Sequence, residues 1–135
     1  LETREQIQDD LLSYLDGAAP AVVLGQAVGR VGNVFNNENL PYAYWEISAN
    51  IIIFVFLLLV ERFVNSKFQI KNGYLFFLYL FSYSLFRFFL EFFRTDSPWI
   101  LGPLTVAQWI CLGVFLGSTV ILVLRHSLRH YVATK

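Results

Sequence analysis

Three ionisable side chains lie within or directly after an apolar, aromatic-rich stretch at residues 73–93. Arg87, Glu91 and Arg94 are spaced i, i+4 and i+7, which places them on one face of a helix. A charge near the bilayer centre costs about 2.5–3.5 kcal/mol on insertion scales, so it normally faces a cavity or a partner. Because guanidinium groups bind phosphate through a planar fork, this face predicts a polar cavity that holds an anionic headgroup. The alternative is a structural Arg–Glu pair that fastens two helices.

A second polar stripe runs along the segment at residues 17–37. Its members are spaced i, i+4, i+7 and i+11, again on one helix face, and Glu38 follows at the outer end. Burying one guanidinium and several amides in a membrane costs free energy that packing contacts alone do not offset. The stripe therefore predicts a second wall of the polar cavity. Packing between helices remains the alternative reading. The members of the stripe are Gln26, Arg30, Asn33 and Asn37.

Other polar residues give weaker signals. His126 and His130 have the i, i+4 spacing of metal ligands, but they lie in a basic tail without a nearby carboxylate. We therefore expect headgroup contact there and predict no metal site. Cys111 lies among apolar residues, which favours an inert buried thiol. Gln108 is a lone amide in the last apolar segment, and it either bridges helices or lines the cavity.

The composition indicates a membrane protein. Of 135 residues, 56% are apolar and 15% are charged, with a mean hydropathy of +0.54, whereas soluble proteins carry about 25% charged residues. High hydropathy and a net charge of zero exclude intrinsic disorder. Ten basic residues balance ten acidic ones, which argues against a nucleic-acid partner. A single cysteine excludes an internal disulfide.

The elements that must position these residues are predicted to be membrane helices. We expect an all-α integral membrane protein, in which an N-terminal amphipathic helix at residues 1–16 precedes a transmembrane domain at residues 17–135. The first membrane segment either crosses the bilayer or re-enters it. Four membrane segments are predicted, at residues 17–37, 47–60, 73–93 and 97–124.

The distribution of basic residues predicts the orientation. The connection between the second and third segments carries Arg62, Lys67 and Lys71, and the tail carries Arg125 and Arg129. The positive-inside rule therefore places both this connection and the C-terminus in the cytoplasm. The chain starts at Leu1 and contains no methionine, so we expect residues upstream of Leu1 to be missing.

Two long polar motifs resemble those of the prolipoprotein diacylglyceryl transferase family. DGAAP at residues 16–20 is followed by GQAVGRVGNVFNNE at residues 25–38, which resembles the family signature. RFFLEFFRTDS at residues 87–97 and GPLTVAQ at residues 102–108 are similar to the C-terminal half of the family, in the same order. The resemblance covers most of the chain after Asp16.

The resemblance implies a multi-pass enzyme of the bacterial inner membrane that needs no cofactor. The family transfers the diacylglyceryl group of phosphatidylglycerol to the lipobox cysteine of a lipoprotein precursor, forms a thioether and releases glycerol phosphate. By motif match, the predicted catalytic residues are Arg30, Glu38, Arg87 and Glu91. The predicted substrate-binding residues are Gln26, Asn33, Asn36, Arg94 and Gln108.

The sequence departs from the family pattern in ways that leave two functions open. The amino-terminal helices and their His-Gly-Gly region have no counterpart, and the outer segment is reduced to Leu40, Pro41 and Tyr42, with Glu46 retained. One hypothesis is the C-terminal half of a transferase that works with upstream helices, in cis or as another chain. The other is a catalytically inactive membrane subunit that binds phospholipid or scaffolds other proteins. A transporter core is disfavoured because no paired repeat is present.

Overall fold

Four long helices form a membrane-type bundle. The computed structural model describes residues 3–38, 40–64, 72–94 and 100–133. Within these ranges, α1 spans Arg4–Phe35, α2 Tyr42–Leu59, α3 Tyr74–Glu91 and α4 Val106–Ala133. All four are long and apolar enough to cross a membrane. The all-α membrane class and the four membrane segments are therefore confirmed.

Helix α1 contains most of the predicted amphipathic helix at residues 1–16 and most of the membrane segment predicted at residues 17–37. It begins at a capping box in which Thr3 Oγ1 accepts from the Gln6 N–H at 3.3 Å and Gln6 Oε1 accepts from the Thr3 N–H at 3.0 Å. The helix then continues without a break for 32 residues, with Pro20 inside it. A re-entrant first segment is therefore not observed. The division between residues 16 and 17 does not coincide with a helix end, and it stays a prediction.

The last predicted segment begins differently from our expectation. Ile100–Leu101 (β1) pairs antiparallel with Leu104–Thr105 (β2), and Gly102 between them has a φ of 69°. The Gly102-Pro103 pair turns the chain here, because glycine tolerates positive φ and proline cannot donate to a preceding helical turn. Helix α4 starts only at Val106, and it extends through the basic tail to Ala133.

The predicted orientation depends on basic residues in the connections between helices. A π-helical turn at Val60–Val64 follows α2. Lys67 and Lys71 in the next connection, and Lys135 at the C-terminus, lie outside the described residues. The cytoplasmic assignment of this connection and of the C-terminus therefore stays a prediction.

Helices α1, α2 and α3 share a small apolar core. Its fully buried members include Val23, Ile53 and Leu57, at 0%, 1% and 0% exposure. Most other large apolar side chains of the bundle point outward, as a lipid-facing surface requires. Helix α1 packs against α2, α3 packs against α4, and α1 and α2 both contact α3. The polar side chains between α1, α2 and α3 are thus enclosed by apolar helices.

One end of the bundle is fastened through the beginning of α3. Asp16 of α1 accepts the N–H of Gly73 at 2.6 Å through Oδ2 and the N–H of Phe76 at 2.9 Å through Oδ1. Arg125 of α4 donates to the carbonyl of Asn72. The carboxylate satisfies N–H groups that a helix start leaves unpaired, and its charge favours that end of the helix dipole. Further along both helices Gln26 of α1 meets Tyr79 of α3, so α1 and α3 run parallel and their later parts meet at the opposite end.

Candidate functional site

A single buried carboxylate joins three helices at that opposite end. Arg30 of α1 places Nε 2.6 Å from Oε2 of Glu46 in α2. Arg87 of α3 donates from Nη1 to Oε1 of the same carboxylate. The side chain of Glu46 is 6% exposed, that of Arg87 16% and that of Arg30 35%. Glu46 therefore forms ion pairs with two guanidinium groups. Part of the Arg30 side chain stays accessible.

Arg87 has a second carboxylate partner besides the one that the helical spacing predicts. Nη2 of Arg87 lies 4.0 Å from Oε2 of Glu91, a much longer separation than the contact with Glu46. Glu91 is buried, and the Thr105 hydroxyl donates to its Oε1 at 3.5 Å. The Arg87–Glu91 pair that the spacing predicts is therefore present, and Glu46 adds a second, closer carboxylate. A carboxylate on the facing helix approaches the guanidinium more closely than the i, i+4 neighbour does.

An aromatic ring connects Arg87 with the outer arginine. The Tyr42 ring centroid lies 6.0 Å from Cζ of Arg87 and 5.8 Å from Cζ of Arg94. These distances fall within the range of cation–π contacts. Tyr42 is 6% exposed, and its hydroxyl has no hydrogen-bond partner in the described part of the chain. Arg94 therefore belongs to the same polar region as Arg87.

A cavity of about 350 Å³ opens beside the Arg30–Glu46 pair. Gln26 lies one turn before Arg30 on α1, and Oε1 of Gln26 accepts from the Tyr79 hydroxyl at 3.4 Å. Apart from Gly29, every residue of the wall carries a polar group, although the surrounding bundle is apolar. The wall consists of Gln26, Gly29, Arg30, Glu46, Asn50 and Tyr83.

Of the nine predicted residues, Gln26 and Arg30 line this cavity. Three others, Arg87, Glu91 and Arg94, belong to the adjoining charged region, and the remaining four lie apart from both. Asn33 is half-buried, whereas Asn36 and Glu38 are exposed in or after the turn that ends α1. In the ranges that the structure describes, their side chains do not bond to the charged residues around Glu46. Gln108 caps α4 through Thr105 and donates to the Phe88 carbonyl of α3 at 3.4 Å. Gln108 thus bridges helices, which is one of the two roles left open for it.

Two residues of the cavity wall, Glu46 and Asn50, were not among the site residues predicted from the sequence. Both are buried, at 5% exposure, and they lie one helical turn apart on the cavity side of α2. The available signal was their i, i+4 spacing: Asn50 is the only amide in the uncharged run at residues 47–60, and Glu46 directly precedes that run. Buried polar residues in an apolar helix mark a cavity or a partner.

The histidine pair and the cysteine both lie on α4. His126 and His130 are exposed on α4, with their Nε2 atoms 3.1 Å apart. Among the described residues, no group of three or more His, Cys, Asp and Glu side chains could hold a metal ion. Cys111 is buried within α4.

The arginines around Glu46 keep hydrogen-bond donors that an anionic ligand can use. The guanidinium groups of Arg30 and Arg87 meet the carboxylate of Glu46, and Arg87 also lies 4.0 Å from Glu91. Arginine carries five N–H donors in a planar fork, and its contacts with Glu46 use only some of them. The remaining donors can bind phosphate oxygens, and a low-dielectric setting strengthens such contacts.

The sequence comparisons agree on one family. The family described as prolipoprotein diacylglyceryl transferase matches residues 2–124. Three similar proteins are all named phosphatidylglycerol–prolipoprotein diacylglyceryl transferase. That of Clostridium novyi is 34% identical and aligns 90% of this chain with 55% of its own length. That of Trichormus variabilis is 39% identical, with 76% and 46% coverage, and that of Finegoldia magna is 36% identical, with 82% and 50%.

Two further findings describe how far the similarity extends. The chain spans about half the length of the curated relatives it matches. No solved structure matches the chain.

Proposed function

Because the chain belongs to the prolipoprotein diacylglyceryl transferase family, we propose that it forms the phosphate-binding part of a diacylglyceryl transferase. The observation that carries this proposal is the convergence of Arg30 and Arg87, from different helices, on the buried carboxylate of Glu46 beside a cavity. The donor lipid is phosphatidylglycerol, and the acceptor is the lipobox cysteine of a lipoprotein precursor.

The reaction requires an electrophile that is held and activated at its phosphate. The acceptor thiolate attacks the glyceryl carbon that carries the phosphate ester, a C–S bond forms, and the C–O bond breaks. The electron pair of the broken bond leaves on a phosphate oxygen, so glycerol phosphate is released, and the thiol proton passes to a base. Arg30 and Arg87 stabilise the charge that grows on the departing phosphate. Arg94 adds a third guanidinium near the same oxygens.

The proposal also covers the membrane location and the site for the acceptor cysteine. The chain is a multi-pass membrane protein, and we assign it to the bacterial cytoplasmic membrane, where its lipid donor resides. Its length relative to the curated relatives supports an arrangement in which further helices, in cis or in a second subunit, complete the acceptor site.

The test is transfer of diacylglyceryl from phosphatidylglycerol vesicles to a lipobox peptide, followed by mass spectrometry. The chain is co-reconstituted with the amino-terminal half of the Clostridium novyi relative, and co-purification reports assembly. The proposal predicts that the peptide gains one diacylglyceryl group and that Arg87→Ala abolishes the gain. Assembly without transfer, under conditions in which the whole relative is active, would instead favour an inactive phospholipid-binding subunit.

A further inference from the structure

Two amide side chains lie directly beneath the charged pair. Gln26 precedes Arg30 by four residues on α1, and Asn50 follows Glu46 by four residues on α2. Helices α1 and α2 run antiparallel, so both amides lie on the same side of the charged pair, towards the middle of the bundle. Four residues of α-helix correspond to about 6 Å along the axis. The cavity wall therefore has a charged layer, Arg30 and Glu46, and an amide layer, Gln26 and Asn50, roughly one turn deeper.

The amide layer offers hydrogen-bond donors to the cavity. Asn50 is 5% exposed, and in the described ranges no donor or acceptor bonds to its amide. Gln26 uses Oε1 to accept from the Tyr79 hydroxyl, which leaves both of its N–H groups available. Gln26 is half-buried, and both side chains line the cavity, so a ligand there that carries hydrogen-bond acceptors can use these donors.

The geometry of a membrane lipid supplies such an acceptor at this depth. A lipid whose phosphate lies in the charged layer extends its acyl chains towards the middle of the bundle. The interfacial region between the bilayer surface and the hydrocarbon core is roughly 5–7 Å thick on each side. The ester carbonyls that link the acyl chains to glycerol therefore lie about one helical turn below the phosphate. Ester carbonyls accept hydrogen bonds and cannot donate them, which complements amide N–H groups.

We propose that Gln26 and Asn50 donate to the ester carbonyls of the bound lipid and thereby select diester over diether phospholipids. This inference rests on the proposed function, because the lipid is positioned by its phosphate at Arg30 and Arg87. The amide layer then recognises the group that is transferred, whereas the charged layer recognises the group that is released. The cavity volume of about 350 Å³ accommodates the glycerol unit with its two ester groups.

The experiment compares two lipids that differ only in the carbonyl groups. The chain in dodecyl maltoside micelles is titrated calorimetrically with dihexanoyl phosphatidylglycerol and with its dihexyl ether analogue. The ether keeps the phosphate, the headgroup and the chain length, but it lacks both carbonyl oxygens. We expect the ether to bind about five- to tenfold more weakly, the loss that two modest hydrogen bonds produce. Equal affinity of the wild-type chain for both lipids overturns the inference.

Two substitutions and one control assign the preference to the amides. Asn50→Leu and Gln26→Met replace each amide by an apolar side chain of similar size, and each should reduce the preference for the ester. Ser82→Ala is the matched control, because Ser82 is buried in α3 outside the cavity wall and donates within its own helix to the Leu78 carbonyl. An unchanged preference in Asn50→Leu contradicts the assignment of Asn50.

The outcomes separate this inference from the proposed function. Strong binding of both lipids, without discrimination, contradicts the amide layer and leaves the phosphate site intact. Binding of neither lipid by the wild-type chain contradicts both. Arg87→Lys should bind both lipids more weakly. If it still prefers the diester, the charged layer and the amide layer act separately.

Discussion

A carboxylate buried in an apolar bundle is stable only beside a positive charge, and Glu46 has two. Arg30 and Arg87 each use one oxygen of the carboxylate, and they approach it from different helices. Burial makes each partner depend on the others, because an unpaired charge in the interior is far more destabilising than an unpaired charge at the surface. The two arginines are therefore held at one carboxylate without a ligand, which is the arrangement that the proposed phosphate site requires.

The first prediction concerns the two carboxylates near Arg87. Glu46→Gln removes the charge that compensates both arginines, so we expect it to destabilise the bundle by about 3–5 kcal/mol. Glu91→Gln should destabilise it less, because Arg87 keeps its contact with Glu46. Thermal unfolding in detergent micelles, followed by circular dichroism, measures both. An equal or larger loss in Glu91→Gln would show that Glu91 is the main partner of Arg87.

The second prediction concerns the shape of the cation at residue 87. Lysine keeps the charge that Glu46 requires but loses the planar fork, so Arg87→Lys should assemble normally and bind phosphatidylglycerol about tenfold more weakly. Calorimetric titration in micelles gives the dissociation constant, and thermal unfolding reports assembly. Arg62→Lys is the control, because Arg62 is an exposed arginine after α2. Unchanged affinity in Arg87→Lys argues against recognition by the fork.

At the scale of the elements, α3 is positioned from both ends. Asp16 and Arg125 hold its beginning, and Arg87 joins its later part to α1 and α2 through Glu46. Since α1 and α3 run parallel, the contact at Asp16 sets the relative height of the two helices, and therefore the heights of Arg30 and Arg87.

The third prediction tests this anchor. Asp16→Ala removes a charged acceptor from two N–H groups at the start of α3, which should destabilise the bundle by about 1–2 kcal/mol. Asp10→Ala is the control, because Asp10 lies in the same helix, is exposed and makes no ion pair in the described part of the chain. Thermal unfolding of the two variants in the same detergent gives the comparison. Equal stability of both variants contradicts an anchoring role for Asp16.

Much of the architecture could be predicted because membrane segments have strong local signatures. Long apolar runs identify α2 and α3, and buried charges at helical spacing identify the faces that carry Arg30 and Arg87. The continuity of α1 was missed because polar and acidic residues precede the apolar part of the same helix. The hairpin before α4 was missed because residues 97–124 lack charge, although Gly102 and Pro103 mark a turn.

The pairing within the site was harder to predict than its residues. Helical spacing identifies Glu91 as a neighbour of Arg87, but it contains no information on a facing helix. Glu46 lies 41 residues before Arg87 in sequence, and only the packing of α2 against α1 and α3 brings Glu46 and Asn50 to the arginines. The outer residues Asn36 and Glu38 match the family motif, yet they are exposed in this structure.

At the scale of the whole molecule, the fourth prediction concerns orientation. The turn after α1 and the turn after α2 are separated by an 18-residue helix, so they lie on opposite sides of the membrane. In a Cys111→Ser background, Asn36→Cys should react with an impermeant maleimide added outside spheroplasts, whereas Arg62→Cys should react only after permeabilisation. The positive-inside rule supplies this expectation. Labelling of both residues from the same side contradicts the four-span arrangement.

The central claim is that Arg30 and Arg87 hold one phosphodiester between them, and a phosphorus-to-arginine distance tests it most directly. Arginine labelled with ¹³C at Cζ is incorporated into the chain, which is frozen in dodecyl maltoside micelles with one dihexanoyl phosphatidylglycerol per chain. Dipolar recoupling between ³¹P and ¹³C then reports the separation, and Arg30→Lys and Arg87→Lys assign each signal. A phosphate bound through the fork lies within about 5 Å of both Cζ atoms, so each variant should remove part of the dephasing. No dephasing, or dephasing that both variants leave unchanged, would contradict the claim.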